Sequence, residues 1–287
     1  MRPPDESIQH GSPAPADGHT VADILAPLLP PQALRGSVLI VAAHPDDEVL
    51  GASWLLRRGP GCHVVHVTDG APRDTPSSRE HYAHLREQEA LAALRLAGLP
   101  PERLLSLGAV DQEAAQEFVT LTECLMALLK ALRPALLVVH PYEGGHPDHD
   151  AAAFVAHAAV ALMARAGRTP PVLLEMASYH RHRESLVTGD FLPAPDGRLV
   201  ATVPFTEAER ADKQRMLACY ASQARGLESF PLGHERYRAA PRYDFTRPPH
   251  EGPLQYEAQG GPMKGERWRE LARRALEQLK LPETPWH

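Results

Sequence analysis

Five short runs of aliphatic residues, separated by longer segments of helical periodicity, limit most strongly how this chain can fold. The runs lie at 36–43, 62–70, 103–108, 135–140 and 171–179. The first, GSVLIVAA, is almost wholly apolar, which is typical of a strand buried on both faces of a parallel sheet. Segments of helical pattern lie at 78–98, 112–133 and 147–167. This order predicts an α/β fold with a doubly wound, mainly parallel sheet and helices on both faces.

The two ends of the chain are less regular. The first twenty residues are rich in proline, glycine and polar side chains, which predicts a disordered tail. We expect the rest to form a single domain, 21–287. Its later part predicts an edge strand at 196–205, a helix at 206–223 that begins with a capping box, a long loop at 224–262 and a final helix at 265–280. We expect the loop-rich C-terminal extension at 224–262 to shape a substrate pocket.

Composition narrows the class of partner. The formal net charge is −6, which argues against a nucleic-acid surface or a polybasic membrane anchor. No run of about 18 apolar residues predicts an integral membrane segment. The N-terminus shows no apolar core of a secretory signal, and the three cysteines are widely spaced, so we expect a cytoplasmic protein. The sequence leaves the oligomeric state open, and a homo-oligomer is compatible with it.

Polar residues are concentrated where the first predicted strand ends, in VAAHPDDEVLG at 41–51. Pro45 fits the first position of a helix, where its missing N–H costs nothing. Asp46 and Asp47 would then lie in the first turn, where carboxylates favour the helix dipole. Glu48 is interpreted as another such acid, or as one that orients a metal-bound histidine. On its own the segment is equally well explained as an ordinary helix start.

A second segment repeats the pattern. HPDH at 146–149 follows the fourth predicted strand and precedes a helix, as HPDD at 44–47 follows the first. Ligand sites in open α/β sheets lie outside the carboxyl ends of strands, where the strand order reverses. If the first and fourth strands flank that point, the two corners face each other.

The side chains at these corners are suited to a divalent metal ion. His44, Asp47 and His149 would give three zinc ligands and leave a fourth position for water, whose pKa zinc lowers to about 7. Asp46 could then take a proton from that water, and His146 could stabilise an oxyanion or protonate a leaving amine. The spacing alone also permits a closed site in which His146 is a fourth ligand. Fe²⁺ or Co²⁺ suits the same ligands.

At these residues the chain resembles the PIG-L/LmbE-like family of zinc-dependent N-acetylglucosamine de-N-acetylases. The family's AHPDDE motif is present at 43–48 and its HPDH motif at 146–149. The resemblance implies a Rossmann-like fold and removal of an acetyl group from the amide of an amino-sugar conjugate by attack of a zinc-bound water. It also implies that His44, Asp47 and His149 bind zinc, that Asp46 is the general base, and that His146 is its acid or electrostatic partner.

Other residues are weaker candidates. Arg73, in the loop APRD, and His180, after the fifth predicted strand, are expected to contact the substrate. Some relatives carry a tyrosine where this chain has Gly144, and whether Tyr142 takes a comparable part is open. Rival functions are a zinc amidase for another N-acyl group, a non-haem iron oxygenase with the same ligand types, and a non-catalytic sugar-binding protein.

Overall fold

The computed structural model describes residues 24–283 except 60, 76, 77, 194–196 and 198. The predicted tail at 1–20 lies outside the described residues. Among the residues that are described, no helix has both the length and the apolar character needed to cross a bilayer.

A seven-stranded mixed sheet forms the centre of the protein. The strands are β1 (Val38–Ala42), β2 (His63–Thr68), β3 (Leu104–Ala109), β4 (Leu136–Val139), β5 (Val172–Met176), β6 (Tyr179–His182), β7 (Ser185–Thr188), β8 (Val200–Pro204) and β9 (His234–Ala239). The sheet has the order β3-β2-β1-β4-β5-β9-β8, and β6 pairs with β7 in a separate hairpin. The first five strands are parallel, whereas β9 runs antiparallel to both β5 and β8. The predicted α/β fold is therefore confirmed.

Helices cover both faces of this sheet. Those that lie wholly within the described residues are α1 (Asp47–Arg58), α2 (Arg79–Leu96), α3 (Phe118–Leu132), α4 (Pro147–Arg165), α5 (Glu207–Leu217), α6 (Ala224–Leu227), α7 (Gln255–Ala258) and α8 (Gly265–Leu279). Along β1, Leu39 and Val41 point into the core beneath α3, α4 and α8, while Val38 and Ile40 point into the core beneath α1 and α2. Because successive side chains of a strand alternate between faces, an all-apolar strand is what two such cores require.

The strand order reverses between β1 and β4. β1 pairs with β2 on one side and with β4 on the other, so Ile40 lies opposite Val138. The expectation that the first and fourth strands are neighbours is confirmed. Their carboxyl ends consequently open into the same crevice, which is where the two His-Pro-Asp segments begin.

The interpretation of 224–262 as a long loop is wrong in part. Within it, β9 is inserted between β5 and the edge strand β8. The charged residues of its sequence, HERYRA, do not indicate a buried strand, yet Glu235 and Arg238 are both buried. Arg238 donates to Glu175 at 2.7 Å, and Glu235 accepts from Lys213 at 2.9 Å. Charges that pair inside the protein make a buried strand look like a solvated one.

Candidate active site

The first corner leaves β1 through His44 and enters α1. The helix begins at Asp47, two residues after Pro45, the predicted first helical position. Asp46 precedes it with φ 128° and ψ −31°, a backbone conformation that residues with a side chain rarely adopt. The prediction that Pro45 opens the helix is therefore wrong, because the positive φ of Asp46 interrupts the helical run before it starts.

The second corner leaves β4 and enters α4 with ordinary capping. His146 is the N-cap residue, and its Nδ1 accepts the N–H of Asp148 at 3.2 Å. Pro147 occupies the first helical position, as its fixed φ favours. His149 follows in the first turn of the helix and is 3% exposed.

The two corners meet at one carboxylate oxygen. Oδ2 of Asp47 lies 3.2 Å from Nδ1 of His44 and 3.2 Å from Nε2 of His149. The rings of His44 and His149 have centroids 5.3 Å apart. One ligand atom each of His44, His146 and His149 lies within 4.8 Å of the others, and the same holds for Asp47, His140 and His149. Asp47 and His149 therefore link the two corners through overlapping clusters.

The second ring nitrogen of each of these two imidazoles also has a polar partner. Nε2 of His44 lies 3.2 Å from Oδ2 of Asp148 and 3.2 Å from Oδ1 of Asp111. Nδ1 of His149 lies 3.1 Å from the hydroxyl of Ser178. Such partners fix the ring orientation and tautomer of metal-binding histidines.

The donor set fits a zinc ion. Ligand atoms at about 2.1 Å from one tetrahedral zinc lie about 3.4 Å apart, close to the two separations at Asp47. Burial alone would raise the pKa of Asp47, but His149 and His140 outweigh it and hold the pKa well below its usual range. Burial lowers the pKa of His149 well below its usual value. An ionised carboxylate and a neutral imidazole are the states that metal binding needs. At His44 burial lowers the pKa, but Asp111, Asp148 and Asp47 outweigh it and raise the pKa well above its usual value, so His44 must lose a proton to bind a metal ion.

His140 belongs to the same cluster, although its position at the end of β4 did not distinguish it in the sequence. Its ring stacks on that of His149, with centroids 4.0 Å apart, and its Nε2 lies 3.5 Å from Oδ2 of Asp47. The backbone N–H of Ala43 donates to this same Nε2 at 3.1 Å. One ligand atom each of Asp47, His140 and His149 lies within 4.8 Å of the others, so His140 is a further candidate metal ligand.

Asp46 lies beside the three predicted ligand residues without contacting the same oxygen of Asp47. Its Oδ2 accepts a hydrogen bond of 3.0 Å from Arg86, and Asp46 as a whole is 7% exposed. Burial raises the pKa of Asp46 to about 7, against the opposing effect of Arg86. A carboxylate with a pKa near neutrality is suited to accept a proton and release it again.

His146 faces the same volume from the second corner. Its ring centroid lies 4.5 Å from that of His44, and its side chain is 21% exposed. Burial and the neighbouring His44 lower the pKa of His146. Since Nδ1 accepts from the backbone, a neutral His146 carries its proton on Nε2 and can donate it.

The part of the chain that contains this site matches a known protein family. Residues 39–160 match the model of the family described as PIG-L: GlcNAc-PI de-N-acetylase. That range contains both corners and all five predicted catalytic or metal-binding residues. Residues 39–160 of this chain form a PIG-L domain.

Curated relatives of this PIG-L domain include two enzymes by name. One is the probable N-acetyl-alpha-D-glucosaminyl L-malate deacetylase 2 of Bacillus subtilis, 29% identical over 41% of this chain and 58% of the relative. The other is the 1D-myo-inositol 2-acetamido-2-deoxy-alpha-D-glucopyranoside deacetylase of Mycobacterium tuberculosis, 30% identical over 39% of this chain and 46% of the relative. The chain therefore spans about half the length of the curated relatives it matches.

Solved structures are similar in fold to a larger part of this chain than the family model matches in sequence. The N,N'-diacetylchitobiose deacetylase of Pyrococcus horikoshii superposes with a TM-score of 0.53 and 20% identity, covering 77% of this chain and 90% of that one. A deacetylase of the teicoplanin biosynthesis pathway superposes with a TM-score of 0.52 and 17% identity, covering 70% of this chain and 96% of that one. These likenesses extend the shared fold beyond the PIG-L domain.

The two predicted substrate contacts lie apart from the five clustered residues. Arg73 is 68% exposed at its side chain and donates two hydrogen bonds to Glu113, of 2.6 and 2.8 Å. His180 is buried in β6, where its Nδ1 lies 3.3 Å from Oε2 of Glu143. Arg73 does line the larger of the two cavities described below.

Tyr142 points away from the cluster. Its hydroxyl donates to the carbonyl of Arg247 at 2.9 Å, and its ring stacks on Trp268. Gly144, which replaces the tyrosine of some relatives, has φ +70°, and a Cβ there would lie 2.6 Å from the side chain of Leu254. The aromatic ring that does contact the cluster is Tyr179, whose centroid lies 5.0 Å from that of His149.

Two cavities adjoin the cluster on its open side. One, of about 810 Å³, reaches Asp111, and the other, of about 200 Å³, reaches His146. Both are lined by Gln112, Pro262 and Met263. The segment around 260 lies outside the PIG-L domain and carries no recognisable motif, so sequence reasoning could not assign it to this position.

Proposed function

We propose that this protein is a zinc-dependent hydrolase that removes the N-acetyl group of an N-acetylglucosamine-type amino-sugar conjugate. The observation that carries the proposal is that Oδ2 of Asp47 lies 3.2 Å from both His44 and His149, with Asp46 and His146 beside them. An inert structural site needs no base near neutrality, whereas burial raises the pKa of Asp46 to about 7.

His44, Asp47 and His149 would hold the zinc ion. A zinc ion bound there would activate a water molecule and polarise the amide carbonyl. Fe²⁺ or Co²⁺ would suit the same three ligands. Asp148, Asp111 and Ser178 keep the two imidazoles in the orientation that this requires.

The proton transfers and the stabilisation of the oxyanion fall to the two remaining residues. Asp46 accepts the proton of the attacking water, and the guanidinium of Arg86 keeps its carboxylate in place. His146 donates a hydrogen bond from Nε2 to the oxyanion that develops on the carbonyl oxygen and remains a neutral imidazole. Asp46 then passes the proton that it took from the water to the sugar nitrogen, so the amide C–N bond breaks without forming an amine anion.

The substrate side of the proposal rests on the lining of the cavities. The larger cavity is bordered by Arg73, Asp74, Asp111, Glu113 and Arg267, together with glutamine side chains. Hydroxyl groups of a sugar can both donate to such carboxylates and accept from such guanidinium groups. The curated relatives act, by their names, on N-acetylglucosaminyl conjugates.

The test is acetate release from a panel of amides. We expect release from one or more of N-acetylglucosamine and its phospho-, lipid-, inositol- and malate-linked conjugates, lost with a chelator and restored by zinc. Propionyl and longer acyl analogues in the same panel distinguish a deacetylase from an amidase for another acyl group. Binding of these conjugates with no acetate release, by a zinc-loaded protein, would instead identify a sugar-binding protein. A cytoplasmic location and a homo-oligomeric state stay predictions from the sequence.

A further inference from the structure

The peptide group that joins Pro45 to Asp46 is held in an unusual orientation. Asp46 has φ 128° with ψ −31°. Turning this one peptide plane by half a revolution would bring φ of Asp46 to about −52°, an ordinary right-handed helical value. Conformations of the observed kind are strained and persist only where surrounding contacts impose them.

A carboxylate holds one edge of this peptide. The N–H of Asp46 donates to Oε2 of Glu48 at 3.1 Å, and Glu48 is completely buried. The same Oε2 lies 3.1 Å from Nε2 of His66, and Oε1 accepts the hydroxyl of Tyr220. Glu48 therefore points away from the metal ligands, and it does not orient a metal-bound histidine as its sequence position suggested.

A guanidinium holds the opposite edge. Nη2 of Arg86 donates to the carbonyl oxygen of Pro45, and it also donates to Oδ2 of Asp46. If the peptide reversed, its N–H would face this cation and its carbonyl would face the carboxylate of Glu48. Both contacts would become repulsive, so the acceptor oxygen of Glu48 and the N–H donor of Arg86 together select the observed orientation.

We propose that Glu48 is a positioning residue for Asp46: with Arg86 it clamps the Pro45–Asp46 peptide, and the clamp keeps the Asp46 carboxylate aligned for proton transfer. Arg86 lies beside that carboxylate because it is anchored to the Pro45 carbonyl, and the carbonyl faces Arg86 because Glu48 holds the N–H of the same peptide. The assignment rests on the proposed function, in which Asp46 is the base.

Two variants of Glu48 distinguish the effect of its side-chain length from the effect of its charge. Glu48→Asp keeps the charge but withdraws the carboxylate from the Asp46 N–H, whereas Glu48→Gln keeps the reach and an acceptor oxygen but removes the charge. We expect kcat of Glu48→Asp to fall about 100-fold, the usual effect of a displacement of roughly 1 Å at a catalytic group. We expect Glu48→Gln to stay within about threefold of wild type, since its amide oxygen can accept the same N–H. KM and zinc content should change little in both.

Glu235 of β9 provides a matched control, because it contacts the same helix, α1. It is a buried carboxylate that accepts the N–H groups of Ser53 and Trp54, where α1 is kinked. Glu235→Asp shortens it by the same amount without touching the clamp. We expect this variant to lose stability with kcat unchanged. If the role of Glu48 were merely structural, Glu48→Asp would behave in the same way as Glu235→Asp.

The outcomes separate the two proposals. Wild-type kcat in Glu48→Asp, or a lower kcat in Glu48→Gln than in Glu48→Asp, overturns the clamp. If Glu48→Asp fails to fold, Arg86→Lys tests the other side, since the lysine side chain ends one bond short of Nη2, which makes both contacts. Wild-type kcat in that variant would overturn the clamp. If the wild type releases no acetate, the proposed function fails. Hydrogen exchange at the Asp46 amide then decides the clamp alone: faster in Glu48→Asp than in Glu48→Gln supports it, and equal rates refute it.

Discussion

At 44–47 and at 146–149 the chain leaves a parallel strand through His-Pro-Asp and enters a helix, yet the two corners are built differently. The second is capped by its own histidine and starts its helix at Pro147. The first starts its helix only at Asp47, with a reversed peptide before Asp46 that Glu48 and Arg86 hold in place. The same three residue types therefore serve two different backbones.

The difference assigns the roles. In the second corner, a regular helical turn separates His146 at the N-cap from His149, so one imidazole faces the crevice and the other faces Asp47. In the first, the reversed peptide separates Asp46, which contacts Arg86, from Asp47, which contacts both ligand histidines. A strained corner thus carries the proposed base, and a relaxed one carries the proposed hydrogen-bond donor to the oxyanion.

Removing the base tests this division most severely. We expect Asp46→Ala to lose about 10²- to 10⁴-fold in kcat, the contribution of a positioned proton acceptor, while it keeps its zinc. Acetate release and metal analysis on the same preparation measure both. Normal turnover in this variant would contradict the role assigned to the first corner.

The pH profile tests the same residue without a mutation. Asp46 must be ionised to accept a proton, and burial raises its pKa to about 7. Below that pH the ionised fraction falls tenfold per unit, so kcat/KM at pH 5 should be about 1% of its plateau value. A profile that is flat from pH 5 to pH 8 would mean that another group is the base.

Ser178 tests how the second corner is supported. Its hydroxyl lies 3.1 Å from Nδ1 of His149, and loss of such a partner usually costs about 10- to 100-fold in metal affinity. We expect Ser178→Ala to weaken zinc binding by that factor, measured by competition with a chromophoric chelator. Zinc affinity equal to that of the wild type would show that the helix alone orients His149.

Gly144 tests the packing behind the second corner. Its φ of +70° and the contact of 2.6 Å that a Cβ would make with Leu254 leave no room for a side chain. We expect Gly144→Ala to lower the free energy of unfolding by about 1–3 kcal/mol. Thermal melting measures it, with Gly98→Ala as a control at φ +82° where nothing lies within 4 Å of a Cβ.

The sequence predicted the parallel sheet and the meeting of the two corners, because apolar runs and strand-end motifs are local signals. It missed β9, since Glu235 and Arg238 are neutralised by partners far away in the chain. It also missed Asp111, Ser178 and Tyr179 around the cluster. Each of these is an ordinary residue in its own segment, and only the folded chain gives it a position beside an imidazole.

The reversed peptide was likewise beyond sequence reasoning. A helix start with Pro45 in first position satisfies every local preference, and the observed start at Asp47 does not. The forces that reverse the peptide come from Arg86 in α2 and from Glu48, whose own partners are His66 in β2 and Tyr220 after α5. Local rules failed where distant charges act on the backbone of the proposed base.

The central claim is that one divalent ion is held jointly by two corners about a hundred residues apart. Calorimetric zinc titration of the wild type, His44→Ala and His149→Ala tests it directly. We predict one zinc ion per wild-type chain and loss of tight binding in both variants, with Asp46→Ala retaining it. Tight zinc binding that survives in either His44→Ala or His149→Ala would show that a single corner suffices, and would contradict the account.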